Sequence, residues 1–191
     1  KGYTPSEQVV GEAFDSIFAT APGRIIVATF ASNISRVQQV IDSAEAYGRK
    51  VVVAGRSMEN TTRIALELGY LRAQQGTLIR PPEAAGLADD QVSVICTGSQ
   101  GEPMSALARM ANRDYPHVKI KEGDTVVVSA TPIPGNEVSV NRVINNLFRL
   151  GAEVIYVGSP SSLAVHVSGH AAQEELKMAL AILRPEFVVP F

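Results

Sequence analysis

The fold class is indicated by the stretch RIIVATF (residues 24–30) and the two segments that follow it. These are NISRVQQVIDSAEAYG (33–48) and KVVVAG (50–55). The first and third segments are short and apolar throughout, which is typical of strands buried on both faces of a parallel sheet. The middle segment carries apolar residues three and four positions apart, and Gly48 follows as a helix stop. The apolar face of this helix consists of Ile34, Val37, Ile41 and Ala44. Together the three segments predict one β-α-β unit.

The same alternation continues along the rest of the chain. Apolar segments predict four more strands, at residues 91–98, 124–130, 153–158 and 186–191. Helical periodicity predicts five more helices, at residues 4–20, 57–69, 102–112, 136–151 and 173–184. Parallel strands joined by single helices need right-handed crossovers, so we expect helices on both faces of the sheet. The predicted fold class is therefore α/β, a doubly wound, mainly parallel, Rossmann-like sheet.

Local signals refine the helix starts and the connections. Thr4, Ser57 and Asn136 have the residue types and positions that are typical of helix N-caps, and Pro5 suits the first helical position after Thr4. Residues 80–90, RPPEAAGLADD, form the longest irregular stretch. We expect a surface loop there.

Composition argues against a membrane-spanning protein and against one stabilised by disulfide bonds. The chain has 191 residues, of which 46% are hydrophobic, so it can bury a substantial core. It has a net charge of -2, it contains no apolar run of bilayer length, and its first residues lack the apolar core of a signal peptide. Its one cysteine, Cys96, lies in an apolar segment, which is typical of a core residue. We therefore expect a cytoplasmic protein with no membrane segment.

Ligands of open α/β sheets bind beyond the carboxyl ends of the strands, so the residues that follow each strand are the first candidates. One such loop places Gly98, Ser99 and Gly101 between a strand and a helix start, with Glu102 in the first helical turn. Exposed backbone N–H groups in such a loop can bind a phosphate, although a tight turn explains the same residues. Arg36 and Arg56 are expected beside this edge, either as phosphate-binding side chains or as ordinary solvated arginines.

Two histidines follow the fifth predicted strand in the segment HVSGH, residues 166–170. Three interpretations are open for these histidines. They are ordinary residues near a helix start, they belong to a phosphate site that includes Ser168 and Gly169, or they are metal ligands. A zinc site needs three or four protein ligands, and the chain offers two histidines here and Cys96 inside a strand. We therefore predict no metal site within this chain. His117 lies in a polar connection and is expected to be exposed.

Several longer motifs resemble one known family. These are GYTPSE (2–7), ATFASNISRVQQ (28–39), TGSQGEPMSALARMA (97–111), SATPIPGNE (129–137) and HVSGHA with QEEL (166–171 and 173–176). Their order and content resemble the β-CASP part of bacterial and archaeal ribonuclease J, and the resemblance covers essentially the whole chain. The β-CASP part of those enzymes is inserted in a metallo-β-lactamase domain.

The resemblance implies a parent enzyme with two zinc ions that degrades RNA in the cytoplasm. Such enzymes act as exonucleases from a 5′-monophosphorylated end and as endonucleases, and they form homo-oligomers. Their zinc-ligand motifs have no counterpart in this chain, which begins at Lys1 and ends at Phe191. We therefore expect a fragment that binds RNA without zinc and without cleaving it. Residues 1–165 would form the β-CASP domain, and residues 166–191 would return toward the metallo-β-lactamase domain.

The resemblance also assigns roles to individual residues. His170 matches the histidine that positions and stabilises the scissile phosphate and that can protonate the leaving group. His166, Val167, Ser168 and Gly169 complete its phosphate-binding segment. The loop near the 5′ nucleotide comprises Gly98, Ser99, Gly101 and Glu102, and Arg36 is expected to contact the nucleotide or the RNA backbone.

A second interpretation comes from a different functional class. A small α/β protein that binds nucleotides or phosphorylated sugars would show the same Gly- and Ser-rich edge. The complete gene distinguishes the two interpretations. A zinc-ligand motif encoded upstream of residue 1 supports the ribonuclease, whereas a start codon near Lys1 and a stop codon after Phe191 support the binding protein.

Overall fold

The computed structural model describes residues 2–189, which form one six-stranded sheet with helices on both sides. The strands are β1 (Ile25–Ala28), β2 (Lys50–Ala54), β3 (Leu78–Ile79), β4 (Val92–Cys96), β5 (Thr125–Val128) and β6 (Glu153–Tyr156). The helices are α1 (Gln8–Thr20), α2 (Ile34–Ala46), α3 (Arg56–Glu67), α4 (Pro81–Ala84), α5 (Ala106–Ala111), α6 (Glu137–Arg149) and α7 (Gln173–Leu183). The predicted α/β fold class is confirmed.

The sheet has the strand order β3-β2-β4-β1-β5-β6, and every pairing is parallel. Ile25 of β1 lies opposite Ser93 of β4 on one side and Thr125 of β5 on the other. The chain runs outward from β1 to β3 and then returns through β4 to the opposite edge. The connections therefore diverge around β1, and this is where an open parallel sheet leaves a crevice at its carboxyl edge.

Two apolar cores cover the faces of the sheet. One core contains Leu107 and Met110 of α5 and Leu147 of α6. The other contains Phe14 of α1 and Met58 of α3, together with the apolar face of α2. Strands β1, β4 and β5 are buried along their whole length, which explains why their sequences are apolar without alternation.

Helices α1, α3 and α5 begin at residues other than those predicted. Helix α1 begins at Gln8, because Thr4 does not cap it and bonds instead to Glu175 and to the carbonyl of His170. Helix α3 begins at Arg56, after Gly55, so Ser57 lies inside its first turn.

Asn136 precedes α6 as predicted, but its side chain makes no capping bond and its amide donates to Gln100. Helix α5 begins only at Ala106, and the Ser105 hydroxyl accepts from the N–H of Ala108 as its cap. Glu102 therefore precedes the helix and does not lie in its first turn.

The connection at residues 80–90 is more ordered than predicted. It contains the four-residue helix α4 and leads into a 3₁₀ turn at Asp89–Gln91. Just before it, β3 adds an edge strand that the sequence pattern did not indicate. Two residues are too few to show a strand periodicity, and β3 exists because its backbone pairs with β2.

The predicted last strand is not found within residues 186–189, and its remaining residues, Pro190 and Phe191, lie outside the described part of the chain. Phe187 and Val189 are more than 80% exposed, and no strand of residues 2–189 pairs with them. An apolar segment becomes a strand only when a neighbouring backbone completes its hydrogen bonds. In the part of the chain that the structure describes, no helix is long and apolar enough to cross a bilayer.

Candidate functional site

A cleft of about 720 Å³ opens at the carboxyl edge of the sheet. Thr29 follows β1, Gly55 follows β2 and the segment 97–99 follows β4, and all of them line the cleft. The cleft thus lies where the connections of a doubly wound sheet diverge, as the sequence predicted. The hydroxyl of Thr29 is buried beneath the cleft surface and has no hydrogen-bond partner among residues 2–189.

The loop after β4 is a tight turn that packs against two helices. Gly98 and Gly101 have φ angles of 114° and 72°. A Cβ at Gly98 would lie 2.4 Å from the hydroxyl of Ser105, and one at Gly101 would lie 2.6 Å from the carbonyl carbon of Ser139 at the start of α6. Close backbone approach therefore explains both glycines. Of the residues predicted to bind phosphate here, Ser99 is buried while lining the cleft, and Glu102 is exposed on its wall.

Gln100 is a structural residue of this loop that the sequence did not single out. It is buried, and its Nε2 donates to the carbonyl of Thr131 at 3.0 Å. Its Oε1 accepts from the N–H of Ile133 at 2.8 Å and from the amide of Asn136 at 3.3 Å. Gln100 therefore ties the loop after β4 to the loop after β5. A glutamine in a Gly-rich segment is typical of an exposed turn, so the sequence held no signal for this role.

The far wall of the cleft carries charged and aromatic side chains. Arg56, Arg109 and His117 supply positive or titratable groups, and Glu59 and Glu102 supply negative ones. These charges nearly balance, so the wall as a whole has little net charge.

An aromatic pair shapes this wall. The guanidinium of Arg109 lies 5.5 Å from the centre of the Tyr115 ring, and the ring of His117 meets Tyr115 edge-on at 6.3 Å. Burial raises the pKa of the Tyr115 hydroxyl, so the ring stays neutral. His117 is exposed, as predicted, yet it lines the cleft.

Arg36 lies in the interior and not on the cleft surface. Its side chain is 1% exposed. Its Nε donates to Glu7 at 2.7 Å, and its Nη1 donates to the carbonyls of Ser129 and Val165 at 3.2 and 3.3 Å. Because these acceptors occupy the guanidinium inside the chain, its donors are not free for a ligand. The side chain instead fixes the backbone just before His166.

His166 and Val167 are half-buried. Val167 packs against the core that contains Phe14, so its side chain has a packing role. The Nδ1 atom of His166 is buried and has no partner among residues 2–189. Burial, and then the charge of Arg36, lower the pKa of the His166 imidazole, with Glu7 acting in the opposite direction. His166 is therefore neutral at neutral pH.

Ser168, Gly169 and His170 are exposed. The Ser168 hydroxyl accepts from the N–H of His170 at 3.1 Å, which leaves its own proton free to donate. The Thr4 hydroxyl lies 2.9 Å from the carbonyl of His170. The segment thus presents a hydroxyl donor and an imidazole to solvent from a backbone that is held at both ends. These groups can bind and protonate a phosphate oxygen.

Within residues 2–189, no three side chains of His, Cys, Asp or Glu come together as a metal site would require. Cys96 is fully buried in β4, and burial raises the pKa of its thiol to about 12. The thiol is therefore neither a nucleophile nor a metal ligand in the folded chain. These residues do not fit a zinc ion by themselves.

Comparisons with known proteins identify the family of this chain. Residues 22–147 match the family described as Ribonuclease J, beta-CASP domain. Ribonuclease J of Thermus thermophilus is 52% identical over 190 residues, which cover 100% of this chain and 32% of that protein. Ribonuclease J of Helicobacter pylori strain J99 is 48% identical over 189 residues, covering 99% of this chain and 27% of that protein.

Ribonuclease J2 of Bacillus subtilis is 44% identical over 190 residues, which cover 99% of this chain and 33% of that protein. The chain therefore spans about a third, or less, of the length of these relatives. The resemblance seen in the sequence motifs is confirmed: this chain belongs to the ribonuclease J β-CASP domain family.

Proposed function

We propose that this chain is the RNA-contacting part of a larger ribonuclease J. The parent would be a zinc-dependent ribonuclease of the cytoplasm that acts on 5′-monophosphorylated RNA as an exonuclease and also as an endonuclease. This chain alone would bind RNA and would not cleave it. The observation that carries the proposal is the exposed segment 168–170, which offers an unused hydroxyl proton and an imidazole and follows Val165, whose carbonyl bonds to Ser129 just after β5.

The proposed roles follow from the contacts. His170 would stabilise the scissile phosphate and protonate the leaving oxygen, because its ring is exposed to solvent and an imidazole can act as a general acid. The Ser168 hydroxyl and the Gly169 N–H would donate to phosphate oxygens. His166 and Val167 would support this segment from the half-buried side. Arg36 would act as a positioning residue, because its donors are occupied inside the chain.

The cleft would receive the nucleotide next to that phosphate. Ser99 and Glu102 line it, while Gly98 and Gly101 shape the turn that carries them. Tyr115 on the far wall offers a ring on which a base can stack, and base–aromatic stacking contributes about 1–3 kcal/mol. Both an apolar base and a charged phosphate therefore find complementary groups at this edge.

Residues 1–165 would form the β-CASP domain, and residues 166–191 would pack toward the metallo-β-lactamase domain of the parent. Helix α7 supports this division, since none of its residues is buried although several are large and apolar. Leu176, Ile182 and Leu183 are all more than half exposed. Such a face suits a second domain. The two zinc ions would be held by that domain, and homo-oligomers would form at the level of the parent.

The test is a titration of a 5′-monophosphorylated RNA oligonucleotide into the chain at one fixed salt concentration. A double variant, Ser168→Ala with His170→Ala, should bind at least about tenfold more weakly, because two hydrogen bonds to a charged group are lost.

A matched control is the double variant Ser16→Ala with Tyr70→Ala. Both side chains are exposed and lie outside the cleft lining and outside the segments 2–7 and 166–170, and the Ser16 hydroxyl donates within its own helix to the carbonyl of Glu12. The control variant should retain most of the affinity. Equal affinity of the Ser168/His170 variant and the unmodified chain would reject the assigned phosphate site.

A further inference from the structure

A buried cluster anchors the N-terminal, or front, end of the segment 166–170. The carbonyl of Val165 accepts from the Ser129 hydroxyl at 2.6 Å and from Arg36 at 3.3 Å. Arg36 in turn bonds to the carboxylate of Glu7 at 2.7 Å. The front end of the segment is therefore connected, through one buried guanidinium, to the residues that precede α1.

The C-terminal, or back, end of the segment is anchored by Thr4. Its hydroxyl lies 2.9 Å from the carbonyl of His170 and 2.7 Å from Oε2 of Glu175, so one proton is shared between two acceptors. The same carboxylate oxygen accepts from the N–H of Ala172 at 2.6 Å and from that of Thr4 at 3.1 Å. These bonds, that of Ala172 first, lower the pKa of Glu175, so the carboxylate stays ionised as an acceptor.

Packing does not hold this end of the segment. Residues 168–171 are all exposed, and a Cβ at Gly169 would meet no atom within 4 Å. Within residues 2–189, the hydrogen bonds of the His170 backbone go to Ser168, its own neighbour, and to Thr4. Thr4 therefore provides the long-range contact that fixes the backbone carrying the imidazole.

We propose that residues 2–7 are a positioning segment for His170, with Thr4 as its positioning residue. The inference rests on the proposed function, in which His170 contacts the phosphate. A side chain on a free backbone must be ordered when the ligand binds, and this ordering weakens binding. The contact with Thr4 already orders the backbone in the unbound chain, so less ordering is left for the binding step. Thr4 itself need not touch the RNA.

The test compares three single substitutions in the whole chain. Thr4→Val keeps the shape of the side chain and removes the shared hydroxyl, whereas Thr4→Ser retains the hydroxyl. Thr20→Val removes a comparable hydroxyl, which donates to the carbonyl of Ser16 in α1. Each variant is titrated with the 5′-monophosphorylated oligonucleotide, and the imidazole C–H signals of His170 are followed by NMR.

Thr4→Val should weaken binding about three- to tenfold, the effect of one hydrogen bond, while Thr4→Ser and Thr20→Val bind like the unmodified chain. The His170 signals should shift and broaden in Thr4→Val only. Broadening reports a looser ring and would not follow from a general loss of stability. If Thr4→Val does not fold, Thr4→Ala tests the same contact, because it removes the same hydroxyl and should weaken binding and broaden the His170 signals in the same way.

Two failures are distinguishable. If His170→Ala weakens binding while Thr4→Val leaves both the affinity and the His170 signals unchanged, the positioning role is overturned and the proposed function stands. If His170→Ala binds as tightly as the unmodified chain, the proposed function fails, and the inference that rests on it fails too.

Discussion

The central sheet and the exposed arm (residues 168–189) are both rich in apolar residues, yet only the sheet buries them. Strands β1, β4 and β5 are buried at every position. In the arm no residue is buried, although α7 and the segment after it carry large apolar side chains. Strands of the sheet have neighbours within the chain, whereas the arm meets Thr4 and Gly2 through a few polar bonds. Apolar composition therefore indicates a surface that needs a partner and does not identify the partner.

The largest difference in folding stability between the two regions should appear when one apolar side chain is truncated in each. Phe14→Ala removes a fully buried ring and should lower the free energy of unfolding by about 3–5 kcal/mol, since it leaves a cavity. Ile182→Ala in α7, where the side chain is 74% exposed, should change it by less than about 0.5 kcal/mol. Urea unfolding curves measure both. A large loss for Ile182→Ala would show that α7 is packed in solution.

A second contrast uses one glycine from each region. Gly101→Ala should lower the free energy of unfolding by about 3 kcal/mol, because the new Cβ meets the backbone of Ser139 and φ is positive. Gly169→Ala should change it by less than about 0.5 kcal/mol, because the position is open.

Gly135→Ala separates the two causes in the same urea experiment. Its φ is 100°, but a Cβ there would meet no atom within 4 Å. We expect a loss of about 1–2 kcal/mol from the backbone strain alone. If Gly101→Ala cost no more than Gly135→Ala, the close approach to α6 would not be what requires a glycine.

The smallest expected effect concerns His166, where the arm joins the core. Its pKa is lowered from the usual 6.5, mainly by burial, so the unfolded chain binds the proton more readily than the folded one. Stability from this group is full above pH 6.5 and is lost as pH falls through the folded-state pKa. Thermal midpoints between roughly pH 5 and pH 8 test this.

The variant His166→Gln should flatten that slope just below pH 6.5. Losses due to carboxylates whose pKa is lowered, such as Glu175, should begin only below their usual 4.5 and should remain in the variant. A slope that is identical in both proteins would mean that His166 does not titrate differently on folding.

Sequence patterns predicted five strands of the sheet and missed its edge strand β3. The five longer strands and the order of the helices follow from apolar periodicity, because that periodicity reports which faces are buried. The two-residue strand β3 left no such pattern, and the segment 186–189 showed one without forming a strand. Pairing with another backbone decides both cases.

Prediction of the candidate site was limited by the same division. The order of the strands predicted that Ser168 and His170 lie near the carboxyl edge, and in the structure both are exposed, with the His170 carbonyl bonded to Thr4. Chemistry alone could not tell that Arg36 is buried, that Gln100 joins two loops or that Thr4 bonds to the His170 backbone. Each of these depends on which segments meet in space.

The α/β class, the strand and helix order and the family all follow from local periodicity and short motifs, so they could be predicted without the structure. Tertiary contacts were needed to show which polar side chains stay exposed and which hold the backbone. Arg36 and Thr4 have residue types that suit either role, and their burial and hydrogen-bond partners assign them to the second. The reason is that a side chain's donors are available to a ligand only where the folded chain has not already used them.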